Sequence, residues 1–549
     1  MKLQNLGLSL FILFFPFLKS SFAQEAGDTT IRGKRLEFYQ IYEPEVETPR
    51  KTELQASLPK NKLATPPFSY TVPQQTLSYT YNSVPIRPLA LGRIDKTVDF
   101  QNYAQLGLGN RTGLFVDLGM ASIRDKDYQA NIHIKHFSQR VNAKQQVDAN
   151  TDVKLGGVYH FENHDLNANV FYQRNGLRYY GYNQEQYTID KENNKQAYSS
   201  IGFDIGLKNS NKELVKGLNY HPQFLFQHYQ DKWKHIDRKF IIHAPLSYSI
   251  DEEMEVSLDL KADLVSFEAQ SYSAWDNLLG IKPRFAYDNE RVGAQLAVNI
   301  ATNTKGDVYF LPDLYGKLYL FENSFQIHGG WKADVIQNTF ERLSKENPFI
   351  FGLDNALEQT KTDQIFLGFK GALKPHFTYG AQVNWRQWNN MPMFLNDYIA
   401  SSEGRLFTIQ QLNKVQAIQP EAFVHFKTGP NFGVKSDLSY TYYYSIDGAD
   451  AVLHLPTLKW GLQAEAQLWK GFSIEGGIGI WNGMYALDHN GNREKMQAFV
   501  DINARAEYVF HPRWSAFVNL NNLLNTPYQR WYQYDQFGFN FLAGVRFKF

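Results

Sequence analysis

From about residue 99 onward, apolar and polar residues alternate in segments of roughly ten residues or more, broken by turn-forming residues. The C-terminal stretch is the clearest case. Phe539, Phe541, Ala543, Val545, Phe547 and Phe549 share one parity, and Asn540, Gly544, Arg546 and Lys548 share the other. Strand side chains point alternately to opposite sides, so one face of this segment is apolar and the other polar. In Ser257 to Val265, Leu258, Leu260, Ala262 and Leu264 oppose Ser257, Asp259, Lys261 and Asp263. In Ala498 to Tyr508, the even positions from Ala498 to Tyr508 oppose Asp501, Asn503, Arg505 and Glu507. No helical period is sustained, so the pattern predicts strands.

Alternation alone fits a soluble sandwich as well as a membrane barrel, because both hide one face of each strand. Three features favour the barrel. Lys2, the apolar run Leu6 to Leu18 and Ser21-Phe22-Ala23 read as a secretory signal peptide cleaved before Gln24, giving residues 1–23 as the leader. The last strand ends on Phe549. Short turns alternate with longer stretches. The turns are Glu162-Asn163-His164-Asp165, Asp251-Glu252-Glu253, Asp288-Asn289-Glu290, Glu322-Asn323, Lys374-Pro375-His376, Thr428-Gly429-Pro430 and His511-Pro512-Arg513, and the longer stretches are 181–196, 336–361 and 389–412. Outer-membrane barrels place short turns on the periplasmic side and long loops outside. The expected fold is therefore all-β, a transmembrane antiparallel β-barrel of about 22 strands over residues 99–549.

Composition sharpens this reading. The mean hydropathy of −0.44 and the lack of a second long apolar run argue against membrane-spanning helices. Aromatic residues make up 15% of the chain, which suits strands and the aromatic girdles of a barrel. A formal net charge of +1 gives no reason to expect nucleic acid. With no cysteine there is neither a disulfide framework nor a lipoprotein-type leader. Residues 24–98 are rich in proline and poor in apolar runs, and are expected to form an irregular periplasmic segment, hanging below the barrel or folding back into its lumen.

Candidate chemistry is sparse. His133 and His136 are three apart, so on a strand they face opposite sides and do not chelate one ion. Gly107, Gly109 and Gly113 lack the strand-loop-helix context of a nucleotide-binding loop, and Gly476, Gly477 and Gly479 suggest a bend in the wall or an aromatic ring laid across bare backbone. No Gly-x-Ser-x-Gly elbow occurs. No catalytic residue, metal site or cofactor is expected. Asp259, Lys261, Asp263, Asp501, Asn503, Arg505 and Glu507 are the candidates for lining the lumen, where mixed charges set ionic selectivity, hold a plug or partner, or simply solvate a wet interior. Phe541, Val545, Phe547 and Phe549 are the candidates for an assembly signal read by the outer-membrane insertion machinery.

Several stretches resemble the barrel of TonB-dependent receptors. They are Asn102 to Asn110 following Ile86-Arg87-Pro88, Asn347-Pro348-Phe349 leading to Lys361 to Gly368, and Asn519-Leu520-Asn521-Asn522-Leu523-Leu524-Asn525 ahead of the Phe-rich end. The resemblance covers the barrel alone. Residues 24–98 are shorter than the plug domain of such receptors, and Asp28-Thr29-Thr30-Ile31 is a poor match to their coupling box. The resemblance implies passage of a solute or polypeptide across the outer membrane, with residues 24–98 or a partner protein filling the lumen. The alternative is a structural or assembly component anchoring an envelope complex, and a phospholipase-like barrel enzyme is a weaker third. Expected partners are outer-membrane lipid, the assembly machinery and a periplasmic or lipoprotein partner.

Overall fold

The computed structural model describes residues 102–549 apart from 125–126, 142–144, 210–216, 322–323, 354–356, 374–375 and 430. The leader, residues 24–98, Asp28 to Ile31, Ile86-Arg87-Pro88, the predicted turn Glu322-Asn323 and parts of two other predicted turns lie outside the described residues.

The described residues form one antiparallel sheet that closes on itself. The first strand, Tyr103–Gly109, pairs with Gly113–Arg124 on one side and with the last strand, Asn540–Lys548, on the other. The closing register runs from Tyr103 opposite Lys548 to Gly109 opposite Leu542. Two strands are each interrupted once. Leu218–Tyr220 and Gln223–Asp231 share the partner Ile236–Ser249, and Phe432–Tyr440 and Tyr442–Asp447 share Phe407–Thr428. Counting each as a single strand gives a barrel of 22, the number expected from the sequence.

Tyr103 and Phe549 lie at one end of the barrel, where the strand connections are short. Side chains shape these turns. Asp251 Oδ1 accepts the backbone N–H groups of Glu253 and Met254 (2.8 and 2.7 Å), and Asn289 Oδ1 accepts those of Arg291 and Val292 (2.9 and 2.8 Å). Such side chains replace backbone partners within a tight turn. Gly429 and Gly471 supply positive φ at two others. The opposite, loop end carries the connections 179–194, 337–359, 397–406, 448–457, 483–498 and 522–539. The predicted loop 389–412 is shorter than expected, because Phe377–Asn396 and Phe407–Thr428 pair out to Asn396 opposite Phe407.

Outward rows are apolar, as the alternation requires. Leu106, Leu108, Leu279, Ile281, Ile365, Leu367, Val424 and Phe426 are exposed on the outer face. The charged side chains named above for Met254–Glu268 and Phe499–His511 fall on the opposite, inner parity, as the alternation predicts. At the seam, the Phe517 ring lies across the bare backbone of Gly107 and Gly544. The aromatic-over-glycine contact expected at Gly476, Gly477 and Gly479 therefore sits elsewhere. A side chain at any of these three glycines would meet nothing closer than 3.7 Å, and the register with both neighbours runs through all three without a shift, the one irregularity lying at Gln467/Trp469 near the strand's start.

Candidate functional site

The lumen-lining candidates fall into two separate groups. Asp259, Lys261 and Asp263 belong to the ninth strand, Met254–Glu268, where His243 pairs with Asp259 (2.7 Å) and Lys261 with Asp263 (2.6 Å). Asp501, Asn503, Arg505 and Glu507 belong to the twentieth, Phe499–His511. There Asn503 donates to Asp501 (3.0 Å), while Glu507 pairs with Arg505 (3.0 Å) and Arg546 (3.2 Å) and accepts from Ser515 (2.8 Å). Arg546 also donates to Gln105 (3.0 Å), which carries this network across the barrel seam. Strands nine and twenty stand half-way round a 22-stranded barrel from each other, so the structure does not bring the two groups together.

The assembly-signal candidates lie on the last strand and at its end. Phe541, Val545 and Phe549 are exposed on the outer face. Phe547 packs between Trp514 and Phe549, with ring centroids 4.5 and 5.6 Å away. Leu542, on the polar parity, is buried inside next to Gly107.

The inner face of Met254–Glu268 changes character along its length. Asp263 is followed on the same parity by Val265 and Phe267, both buried. They lead to an apolar cluster that fills part of the lumen at the loop end. It joins Leu177, Tyr179, Tyr198, Tyr229 and Phe267 on one arc of wall to Phe394, Leu406 and Phe407 on another, through Phe340, Leu343, Phe349, Ile350 and Leu353 of the 337–359 connection and Trp531 and Tyr534 of the 522–539 connection.

Local chemistry explains how 337–359 enters the lumen. Thr339 caps the short helix Phe340–Glu346, its side chain accepting from Arg342 N (3.2 Å), and the helix stops at Asn347 ahead of Pro348. Asn347 is fully buried and its Oδ1 accepts from Phe349 N (3.0 Å), turning the chain into an extended stretch. That stretch pairs in parallel with the sixteenth strand: Phe407 N donates to Phe349 O (3.1 Å) and Phe351 N to Phe407 O (3.2 Å). From the opposite side, Tyr179, at the start of the 179–194 connection, donates to Ile350 O (3.2 Å) and Tyr198, on the sixth strand, to Pro348 O (3.0 Å). Strands six and sixteen face each other across the barrel, so residues 340–353 form a strap across the lumen.

The strap is held by different forces at its two sides. On the helix side Glu341, almost fully buried, pairs with Lys239 and Lys345 and accepts from Gln227, while Asp237 accepts from Glu341 N (2.7 Å). Burial opposes the Glu341 charge, but the two ammonium groups outweigh it and hold its carboxyl below the usual glutamate range. Tyr229 and Ser344 hydrogen-bond at 2.7 Å. On the far side the contacts are aromatic. Phe349 stacks on Tyr534 at 3.5 Å between centroids, and Tyr534 donates to Arg405 O (2.5 Å). His454, fully buried in the 448–457 connection, packs against Phe407 and Trp531, with its Nδ1 3.1 Å from Phe394 O. Burial and the nearby Arg530 push its pKa down to about 3, so the ring is neutral.

The strap is absent from the sequence-based candidates. Its signal is the apolar content of a nominal loop, Phe340, Leu343, Phe349, Ile350, Phe351 and Leu353, which exposed loops do not carry. The expectation that residues 24–98 or a partner fill the lumen falls outside the described residues; among those, the chain itself contributes the strap at the loop end. His133 and His136 do face opposite sides, His133 reaching Asp117 at 2.9 Å and His136 reaching Thr151 at 2.8 Å.

No protein-family model matches the chain, and no curated protein matches it in sequence. Solved structures do match its fold. The ferripyoverdine receptor of the outer membrane of Pseudomonas aeruginosa superposes with a TM-score of 0.63 at 11% identity, over 82% of this chain and 72% of that one. The ferric-catecholate import receptor Fiu of Escherichia coli K12 gives 0.61 at 9% identity, over 82% of both chains. The FrpB iron transporter of Neisseria meningitidis gives 0.62 at 8% identity, again over 82% of both. The described residues thus have the fold of the barrel of TonB-dependent receptors.

Proposed function

We propose that this chain resides in an outer membrane and takes part in the passage of a solute or polypeptide across it, with residues 340–353 acting as a gate at the loop end. The observation that carries this reading is the strap itself, which ties opposite walls of a wide barrel together through side-chain contacts. A barrel used only as an anchor needs no wide lumen, whereas one that passes cargo must limit leakage between events. The fold neighbours are receptors and a transporter, which favours passage over scaffolding.

The test is permeability in cells. Replacing Phe349 and Tyr534 together by alanine removes the stacked pair at the far side of the strap. Uptake of large hydrophilic antibiotics is expected to rise in cells carrying the double variant. Unchanged uptake with the barrel inserted at wild-type levels contradicts the gate and moves the reading to a structural component of an envelope complex.

A further inference from the structure

Beside the strap, on the arc formed by the fifteenth to nineteenth strands, the inner wall carries Arg386 and Lys459 toward its loop end, with Glu421 and Asp437 farther along the same face. Lys459 and Trp481 sit directly opposite each other on neighbouring strands at the loop end. Lys459 Nζ and the Arg530 guanidinium both lie over the Trp481 ring, each 5.4 Å from its centroid, and Arg530 also covers Trp531 at 4.3 Å. Arg386 stands on the inward parity of Phe377–Asn396, shared with the fully buried Asn384, and acts electrostatically on Lys459.

Among the described residues none of these three cations forms an ion pair. Arg530 Nη1 donates to the His454 backbone carbonyl at 2.5 Å, and Arg386 Nε is buried without an acceptor. Glu346 and Glu421 are the carboxylates that act on Lys459 from a distance, and Glu346 is the one that acts on Arg530. Lys459 is exposed to the lumen, so its charge is accessible. A cavity of about 570 Å³ adjoins it, lined also by Trp481, Gln382, Lys370 and the carboxylates Glu421 and Asp437, with Arg386 and Arg530 outside its lining. That volume is in the range of small-molecule sites.

Several cations elsewhere on the inner wall have a carboxylate partner. Lys239, Lys261, Lys282, Arg284, Arg505 and Arg546 are each matched to a carboxylate. A group of cations without a direct ion pair, one of them with an orphaned buried N–H, costs free energy that a bound oxyanion recovers through charge-assisted hydrogen bonds. We infer that Lys459 and Arg530, both over the Trp481 ring, together with Arg386 on the same inner face, form a receiving site for the carboxylate or phosphate groups of a small solute. The inference rests on the geometry of the wall and stands apart from the reading of the strap as a gate.

The experiment is isothermal titration calorimetry on the full-length protein, purified folded in detergent, with citrate and pyrophosphate as probes and sucrose as the neutral control. Saturable binding of at least one anion, weakened by added salt and absent for sucrose, is expected. Arg386→Gln and Lys459→Gln are each expected to weaken it about tenfold or more. Lys427→Gln, which touches the separate Lys427–Glu465 pair near the turn end, is expected to leave it unchanged. All variants are compared as folded, heat-modifiable barrels. No saturable heat for either anion overturns the site, and so does a loss in Lys427→Gln as large as in the two site variants. Anion binding together with unchanged permeability of the strap variants leaves the site standing while the gate fails.

Discussion

At the scale of single residues, the closure depends on Glu341. Its carboxylate sits between Lys239 and Lys345, so two ammonium groups depend on one side chain, while its backbone N–H is taken by Asp237. Removing one member of a buried ion pair leaves the other without compensation and costs about 3–5 kcal/mol. Glu341→Ala is therefore expected to free the strap, seen as new protease cleavage within 337–359 in the folded barrel; an unchanged digestion pattern counts against this role. Acid is expected to act in the same direction. The Glu341 pKa is depressed in the fold, so its contribution is present above the unfolded value of about 4.3 and is lost as pH falls through the folded value. The His454 pKa is depressed from about 6.5 to about 3, so the stability from holding it neutral is complete above about pH 6.5 and declines from there toward pH 3. The strap is thus expected to loosen between pH 6.5 and 4.5 through His454 first. His454→Phe should remove that early part, and cleavage in 337–359 followed against pH reads it directly.

At the scale of elements, the strands were legible because their period is local. Asp259, Lys261 and Asp263 mark the wet face wherever they fall, and Asp251 and Asn289 mark turns through their own side chains. The helix Phe340–Glu346 was not legible. Its seven residues complete barely two turns, and its burial depends on Lys239, Asp237, Tyr198 and Tyr229, which are far away in sequence. Val265 and Phe267 did carry a sign of it, since they place apolar side chains on the same face as Asp263. The seam gives a further prediction. A side chain at Gly544 would meet the Leu106 carbonyl and the Phe517 ring, so Gly544→Val is expected to lower the thermal stability of the barrel by an overpacking cost of about 1–3 kcal/mol or more; an unchanged melting temperature contradicts this. For the last strand, Phe549 is exposed on the outer face, and its N–H donates to Asn102 O at 2.9 Å. Phe549→Asp is expected to reduce insertion, measured as the amount of heat-modifiable protein in outer membranes, and wild-type levels of the variant would argue against a role in assembly.

At the scale of the whole molecule, a closed sheet of 22 strands provides a lumen, and the chain spends an unusually apolar connection on crossing it. Polar ties on the helix side and aromatic stacking on the far side give the strap attachments of different chemistry, one sensitive to charge and one to shape. The central claim is that this strap closes the loop end. Single-channel conductance of the purified full-length protein in a planar bilayer tests it most directly, comparing wild type with the Glu341→Ala, Phe349→Ala double variant. The account predicts a quiet wild type and large conductance steps in the variant. A wild type that conducts steadily, or a folded variant as quiet as the wild type, would contradict it.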